Sequence, residues 1–345
     1  MMNELTDRQK FILTLVIHDF VQNSLPIGSQ YLVERYGLDL SSATVRNELA
    51  ALDESGYLTQ PHTSAGRMPT DEGYRYFVGK LMDETDLPIT TQRTISHQFY
   101  QSQQGLEQWM KLAVSVLAHQ SKAASLITSP HPEHARLKHL ELIATRGRQV
   151  LMVMVLVGGE ILQQMLTLAE PVTQEQLSGS ASRLSQLCQS LDVAAIKALP
   201  NPFTPLEEDV LKLIVQSLEN VSASVAGELY MDGLTNVLTE PEFAQSEEAR
   251  KALRLLEERT LLDNLIARTV LHSNVGGVQV LIGGEGNWEE LKQCSVILAR
   301  YGVPGMATGT VGVIGPTRMY YGRTISTVRF VAGLLSELVT DSMVE

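Results

Sequence analysis

Arg46 and Asn47 stand next to one another in the run SSATVRN, residues 41–47. In the major groove of DNA a guanidinium can fork onto guanine O6 and N7, and a carboxamide onto adenine N6 and N7. Such side chains read bases only from an exposed helix that approaches closely, and the neighbouring residues supply one. Ser41 is a good N-cap, its hydroxyl able to accept from a free N–H of the first turn. Val45, Leu49 and Leu52 follow at i, i+4 and i+7 and make one buried stripe. Ser42, Ala43, Thr44, Arg46 and Asn47 remain on the first two outer turns, where small residues permit close contact. Gly56 stops the helix. Tyr57, Leu58 and Thr59 begin a strand, and the polar loop 61–69 carries His62, Thr63, Ser64 and Arg67. A capped amphipathic helix is also an ordinary core element, so the order of elements decides. Helix, strand and protruding polar hairpin are the order of a winged helix-turn-helix, and its expected ligand is double-stranded DNA. The candidate contacts are Ser41 through Thr44, Arg46, Asn47, His62, Thr63, Ser64 and Arg67.

Other constellations carry less. His131-x-x-His134 with His139 has a ligand-like spacing, but no cysteine or carboxylate pair surrounds it, so no metal is expected. Ile282-Gly283-Gly284-Glu285-Gly286 lacks the third glycine of a dinucleotide fingerprint and its βαβ setting; it reads as a turn. No Ser-His-Asp or Cys-His arrangement stands out. No catalytic residue, enzyme activity or cofactor is expected.

The elements that must position the DNA face begin at Thr6, which with Gln9 has capping-box spacing. Ile12, Leu15, Val16 and Phe20 are the stripe of the first helix. Gly28-Ser29 open a second helix and Gly37 ends it; Thr70 caps a connecting helix in which Tyr74 and Arg75 are read as anchors. Residues 83–88 form a hinge. Beyond it come a helix around Trp109 and strands at 124–128, 137–144, 150–157 and 161–168, then further strands near 278–282, 295–299 and 310–314. A closing helix carries Ile325, Val328, Ala332, Leu335 and Val339. Thr204-Pro205-Leu206-Glu207 is a strong helix start, and Leu206, Val210, Leu213 and Ile214 follow on one face. A later helix offers Leu262, Leu265 and Ile266.

The block PHTSAGRMPT at 61–70 with Gly73-Tyr74-Arg75, and a second block, Gly315-Pro316-Thr317-Arg318-Met319, resemble those of the HrcA family of heat-inducible transcription repressors. The resemblance implies an α+β, multidomain protein. A winged helix-turn-helix (1–85) precedes a GAF-like α/β sheet domain (89–170 and 271–345), interrupted by a helix-rich inserted dimerisation domain (171–270). It also implies a repressor of chaperone operons of the groE and dnaK type, bound as a homodimer to an inverted-repeat operator of the CIRCE type. Modulation by the GroE chaperonin, whose availability keeps the repressor folded, is implied as well. Arg318 is read as a structural anchor. Two alternatives stay open: a regulator controlled by a small ligand in its sheet domain, and an adaptor that uses the winged helix to bind protein.

Composition is compatible with this. The formal net charge is −12, and through residue 82 seven Lys or Arg face ten Asp or Glu, a net of −3. Phosphate attraction is local, falling off within about 8–10 Å, so one copy should bind weakly and specificity should need two. The N-terminal unit shows no spare apolar surface. The dimer contact is therefore expected on the apolar helices, at Leu206, Val210, Leu213, Ile214, Leu262 and Ile266. Two distant cysteines suggest reduced thiols, and no secretory signal or membrane span is evident. A cytoplasmic location is expected.

Overall fold

The computed structural model describes residues 4–344 apart from 63–64, 83–85, 102–104, 133–134, 158, 169, 201–202, 224–226, 240–257, 271–273, 286–287 and 289–290. The protein is α+β. Helices α1 (Asp7–Asn23), α2 (Ser29–Tyr36) and α3 (Ser42–Glu54) precede a small hairpin, β1 (Leu58–Thr59) and β2 (Met68–Pro69). Thr6 and Gln9 close a reciprocal capping box at the start of α1, and Gly37 in the left-handed region ends α2. Ile12, Val16, Leu32, Val45, Leu49 and Leu52 interlock as the core of these three helices. α4 (Asp71–Tyr76), capped by Thr70, runs on into a π-type turn, Phe77–Leu81.

Helices α5 (Ile89–Gln101) and α6 (Gly105–Ser121) lead into a six-stranded antiparallel sheet. Its strands are β3 (Ala124–Thr128), β4 (His131–Pro132), β8 (Leu229–Asp232), β9 (Val278–Ile282), β10 (Cys294–Val303) and β11 (Ala307–Pro316). They lie in the order β8-β3-β11-β10-β9, with β4 pairing the start of β11. β10 and β11 are buried along almost their whole length because helices cover both faces, which is why they read as near-continuous apolar runs. On one face Ile297, Ala299, Tyr301, Val311 and Val313 pack against α6 and the last helix, α12 (Tyr321–Val344). On the other, Leu126, Val296, Leu298 and Ile314 meet α10 (Leu234–Leu238) and α11 (Arg259–Val270).

Between β4 and β8 lies a separate unit. Strands β5 (Leu137–Ala144), β6 (Gln149–Leu156) and β7 (Ile161–Thr167) form a three-stranded antiparallel sheet, followed by α7 (Gln174–Cys188), α8 (Val193–Lys197) and α9 (Pro205–Ala223). β6 alternates strictly, with Val150, Met152, Met154 and Leu156 buried. These residues share one hydrophobic core with α7, α8 and α9, extending from Ala135 to Val221. The outer edge of β5 is closed by α7. Leu140 N–H donates to Ser185 Oγ (2.8 Å), Ala144 N–H to Gln174 Oε1 (2.7 Å), and Gln174 Nε2 to the Leu142 carbonyl (2.8 Å). The packing boundary of the insertion thus lies near 135 and 221, where the sequence reading placed it at 171 and 270. Strand alternation shows that one face is covered but not which helix covers it. α11, expected inside the insertion, belongs by contact to the six-stranded sheet.

Candidate nucleic-acid interface

α3 is held at its start by Ser41, whose Oγ accepts from Thr44 N–H at 3.1 Å and lies 2.8 Å from Thr44 Oγ1. Both hydroxyls are therefore engaged in the cap. Val45, Leu49 and Leu52 face the core, which leaves Ser42, Ala43, Arg46 and Asn47 exposed at i, i+1, i+4 and i+5 on one side. Of the acids on this helix, Glu48 pairs with Arg8 at 3.3 Å and Asp53 with Arg67 at 2.8 Å. Only Glu54 at the far end is exposed. The N-terminal half of α3 thus presents a cation and an amide with its neighbouring acids drawn aside, despite the acidic balance of the chain.

Beside that row is a cleft of about 420 Å³ lined by Gly28, Ser29, Gln30 and Tyr31 of α2, Arg46, and Gln60 of the hairpin. Gly28, the N-cap of α2, supplies no side-chain acceptor for the first turn. Sequence reasoning did not single out Gln30 or Gln60 for this cleft and read Tyr31 only as a packing residue of the second helix. The signal available was the glycine cap: a helix start without a capping side chain is one that can accept an outside group.

The hairpin is seated by backbone. Ile27 and Arg67 exchange two hydrogen bonds, Ile27 N–H to the Arg67 carbonyl (2.9 Å) and Arg67 N–H to the Ile27 carbonyl (2.8 Å). Gly66 crosses so near the Ile27 backbone that a Cβ there would overlap it, and a Cβ at Gly73 would overlap the Tyr57 carbonyl. Steric necessity thus accounts for two glycines in the sequence block. At the tip, Gln60 Nε2 donates to the Ala65 carbonyl and Ala65 N–H to that of His62, both at 2.9 Å. His62 is exposed. Thr63 and Ser64, read as contacts, lie outside the described residues.

Arg67 stands differently from the expectation. Its side chain is 19% exposed, and its Nε sits 2.8 Å from Asp53 Oδ2 without the alignment of a hydrogen bond. The attraction is coulombic, and it ties the hairpin to the C-terminal turn of α3. A second inward pair lies behind: Asp19, fully buried on α1, is 2.9 Å from Nε of Arg35, whose guanidinium also rests over the rings of Tyr31 and Tyr36. The Tyr36 hydroxyl is pushed up in pKa by burial.

The six residues expected at a dimer contact do not form one surface. Val210 and Ile214 are buried in the insertion's own core, with Leu206 and Leu213 half-buried against it. Leu262 and Ile266, on α11, are buried against the six-stranded sheet. Among the described residues, the far face of β5–β7 is an open apolar surface. There the register stacks Ile143, Leu151 and Met165 in one row, Glu141, Val153 and Gln163 in the next, and His139, Val155 and Ile161 in the third. Ile143, Ile161 and Met165 are exposed.

The remaining constellations resolve locally. His139 Nε2 lies 2.9 Å from Glu141 Oε1 on that face, and His134 is outside the described residues. Among the described residues no group of three or more His, Cys, Asp or Glu could hold a metal ion. The Gly283–Gly284 turn packs against α4. Burial pushes the thiols of Cys188 and Cys294 up to about 11 and about 12. Inside the six-stranded unit, Tyr301 fills the space under the sheet, donating to the Thr128 carbonyl at 2.6 Å. No helix among the described residues is long and apolar enough to cross a membrane.

An exposed helix face bearing Arg and Asn, on a three-helix unit with a hairpin, accords with what comparison with known proteins shows: the chain is a member of a family of transcription repressors. The match spans residues 107–325 with "HrcA protein C terminal domain". A heat-inducible transcription repressor HrcA of Roseiflexus castenholzii is 46% identical over 349 residues, 99% of this chain and 96% of that protein. The one from Herpetosiphon aurantiacus is 43% identical over 345 residues, 98% of this chain and 96% of that protein. The chain belongs to the HrcA family. A crystal structure described as a hypothetical protein shares the fold, with a TM-score of 0.59 over 99% of this chain and 100% of the other at 23% identity.

Proposed function

We propose that this protein is a dimeric repressor of chaperone operons that reads an inverted-repeat operator with α3. In this reading the N-terminal unit is a winged helix-turn-helix and the six-stranded unit is GAF-like. The observation that carries it is the exposed row Ser42, Ala43, Arg46 and Asn47 on a helix whose acids are paired away from that face. Arg46 and Asn47 read base edges. The cleft at the start of α2 and His62 on the hairpin take the phosphate backbone, while Arg67 acts as a strut to α3. Two copies are joined across the open face of β5–β7, where six apolar side chains lie together with no helix among the described residues covering them. Modulation by the GroE chaperonin, which the resemblance to the HrcA family implies, is part of this reading. The packing of Tyr301 and its neighbours beneath the sheet supports this reading over control by a small ligand.

A gel shift on a chaperone-operon promoter fragment, with and without chaperonin, tests it. Each bidentate base contact is worth about 1–3 kcal/mol, so Arg46→Ala should weaken binding by about one to two decades and leave the fold intact. Parent-like affinity in that variant would remove α3 from the groove.

A further inference from the structure

Two arginines cross the boundary between the N-terminal unit and the six-stranded unit in opposite directions. Arg75, on α4, donates to the Ile282 carbonyl from Nε (3.2 Å) and Nη2 (2.7 Å), and from Nη2 to the Gly283 carbonyl (3.2 Å). Its Nη1 is held by Glu72 at 3.1 Å, and Glu285 Oε2 stands 3.9 Å from its Nε. Gly283 and Gly284 both have positive φ, +60° and +72°, and a Cβ on Gly283 would overlap the Asp71 carboxylate. The turn is thus shaped to fit α4. In the other direction Arg318, between β11 and α12, donates from Nη1 to the Val21 carbonyl at 3.1 Å. Val21 is in the last turn of α1, where carbonyls have no intrahelical donor and the helix end is negative. Across the same boundary, the rings of Tyr74 and Tyr321 lie 5.8 Å apart, and the Tyr321 hydroxyl is 2.6 Å from Ser295 Oγ.

We propose that Arg75 and Arg318 form a reciprocal clasp that sets the angle of the DNA-reading unit on the body of the protein. They are positioning residues: both engage backbone carbonyls across the joint. The planar guanidinium of Arg75 spans two carbonyls, which a lysine ammonium cannot do with the same geometry. This inference rests on the dimeric reading of an inverted repeat proposed above. There each base pair added between half-sites moves them by about 3.4 Å and about 35° around the duplex. A clasped dimer tolerates one spacing; an unclasped one follows several.

Gel shifts on the best-bound operator, on operators with one or two base pairs added or removed between half-sites, and on a single half-site read this directly. The parent should lose at least about tenfold on respaced operators. Arg75→Ala and Arg318→Ala should each lose about tenfold on the best spacing and differ less than about threefold among spacings, with half-site binding unchanged. Arg75→Lys should fall between. Retention of the parent's spacing preference by both alanine variants overturns the clasp. Gly283→Ala attacks the same joint from the acceptor side, leaving both arginine side chains in the sequence, and decides the matter if an arginine variant does not fold. Should the parent bind no inverted repeat, the proposed function fails. The clasp is then read by spin labels at Glu54→Cys and Thr340→Cys, diluted with unlabelled chain. A broader distance distribution in Arg75→Ala supports it, and an unchanged one overturns it.

Discussion

Arg67→Ala separates a strut from a phosphate contact. The Arg67–Asp53 pair has side chains 19% and 31% exposed and a 2.8 Å separation. A fully exposed pair contributes about 0–1 kcal/mol, whereas removing one partner of a fully buried pair costs about 3–5 kcal/mol. At this intermediate burial the loss should be about 1–2 kcal/mol. The bonds that Arg67 exchanges with Ile27 are main-chain and survive the substitution. In a unit of this size each kcal/mol shifts the melting point by about 4–8 °C, so the N-terminal transition should fall by about 5–15 °C. The double variant with Asp53→Ala should cost less than the sum of the two single variants, with a coupling of about 1 kcal/mol. Scanning calorimetry of the four proteins measures the cycle. Operator titrations at several salt concentrations measure the other role, and there the slope should match the parent's. An unchanged melting point together with a slope reduced by about one phosphate contact would refute the strut and place the guanidinium on DNA.

Val153→Asp, at the centre of the open β5–β7 face, should yield a folded monomer, because a carboxylate buried in that contact loses water without gaining a partner; sedimentation showing a dimer would move the interface elsewhere. Gly66→Ala should cost about 1–3 kcal/mol, as overpacking does; faster amide exchange at Ile27 and Arg67 checks this, since the added Cβ must push the hairpin away. Cys188 and Cys294 should resist an aromatic disulfide reagent at pH 8 until the chain is denatured, when both react. Their folded pKa values exceed the ordinary 9.0, so the folded chain keeps protons that the unfolded chain releases. Stability should therefore be insensitive to these thiols below pH 9 and fall as pH rises above it, which denaturant titrations from pH 8 to 10 measure.

Elements were legible where burial is one-sided or complete. The cap at Ser41, the stripe Val45, Leu49 and Leu52, and the strands 124–128, 137–144 and 278–282 all follow from local pattern. Allegiance between elements was not. The stripe around Leu262 shows that α11 buries a face, yet whether it meets the insertion or the six-stranded sheet depends on contacts distant in sequence. Arg67 illustrates the same limit at a site, because a guanidinium suits a phosphate and a carboxylate equally and only folding brings Asp53 beside it. Arg75 and Arg318 stood out as members of their sequence blocks, but their acceptors are carbonyls, which every residue carries and which leave no trace in side-chain identity. The exposure of Arg46 and Asn47 on one side of α3 was legible because it depends on a single helix.

The stem of the insertion has a consequence for how the chain is assembled. Ser129 N–H donates to the Glu228 carbonyl at 2.7 Å, and β3 pairs β8 from Thr128↔Leu229 to Ser125↔Asp232. The strands that leave for the insertion and return from it are therefore already zipped together in the host sheet. Beyond β4, which still pairs the start of β11, the chain through to 227 is to the host a closed loop, and lengthening such a loop costs only about 0.6 kcal/mol per doubling. A short connection grafted from the end of β4 to the start of β8 would leave the sheet, both arginine contacts and α3 with all their partners. The insertion is thus a pendant with a core of its own, and its melting or replacement should leave the host sheet folded.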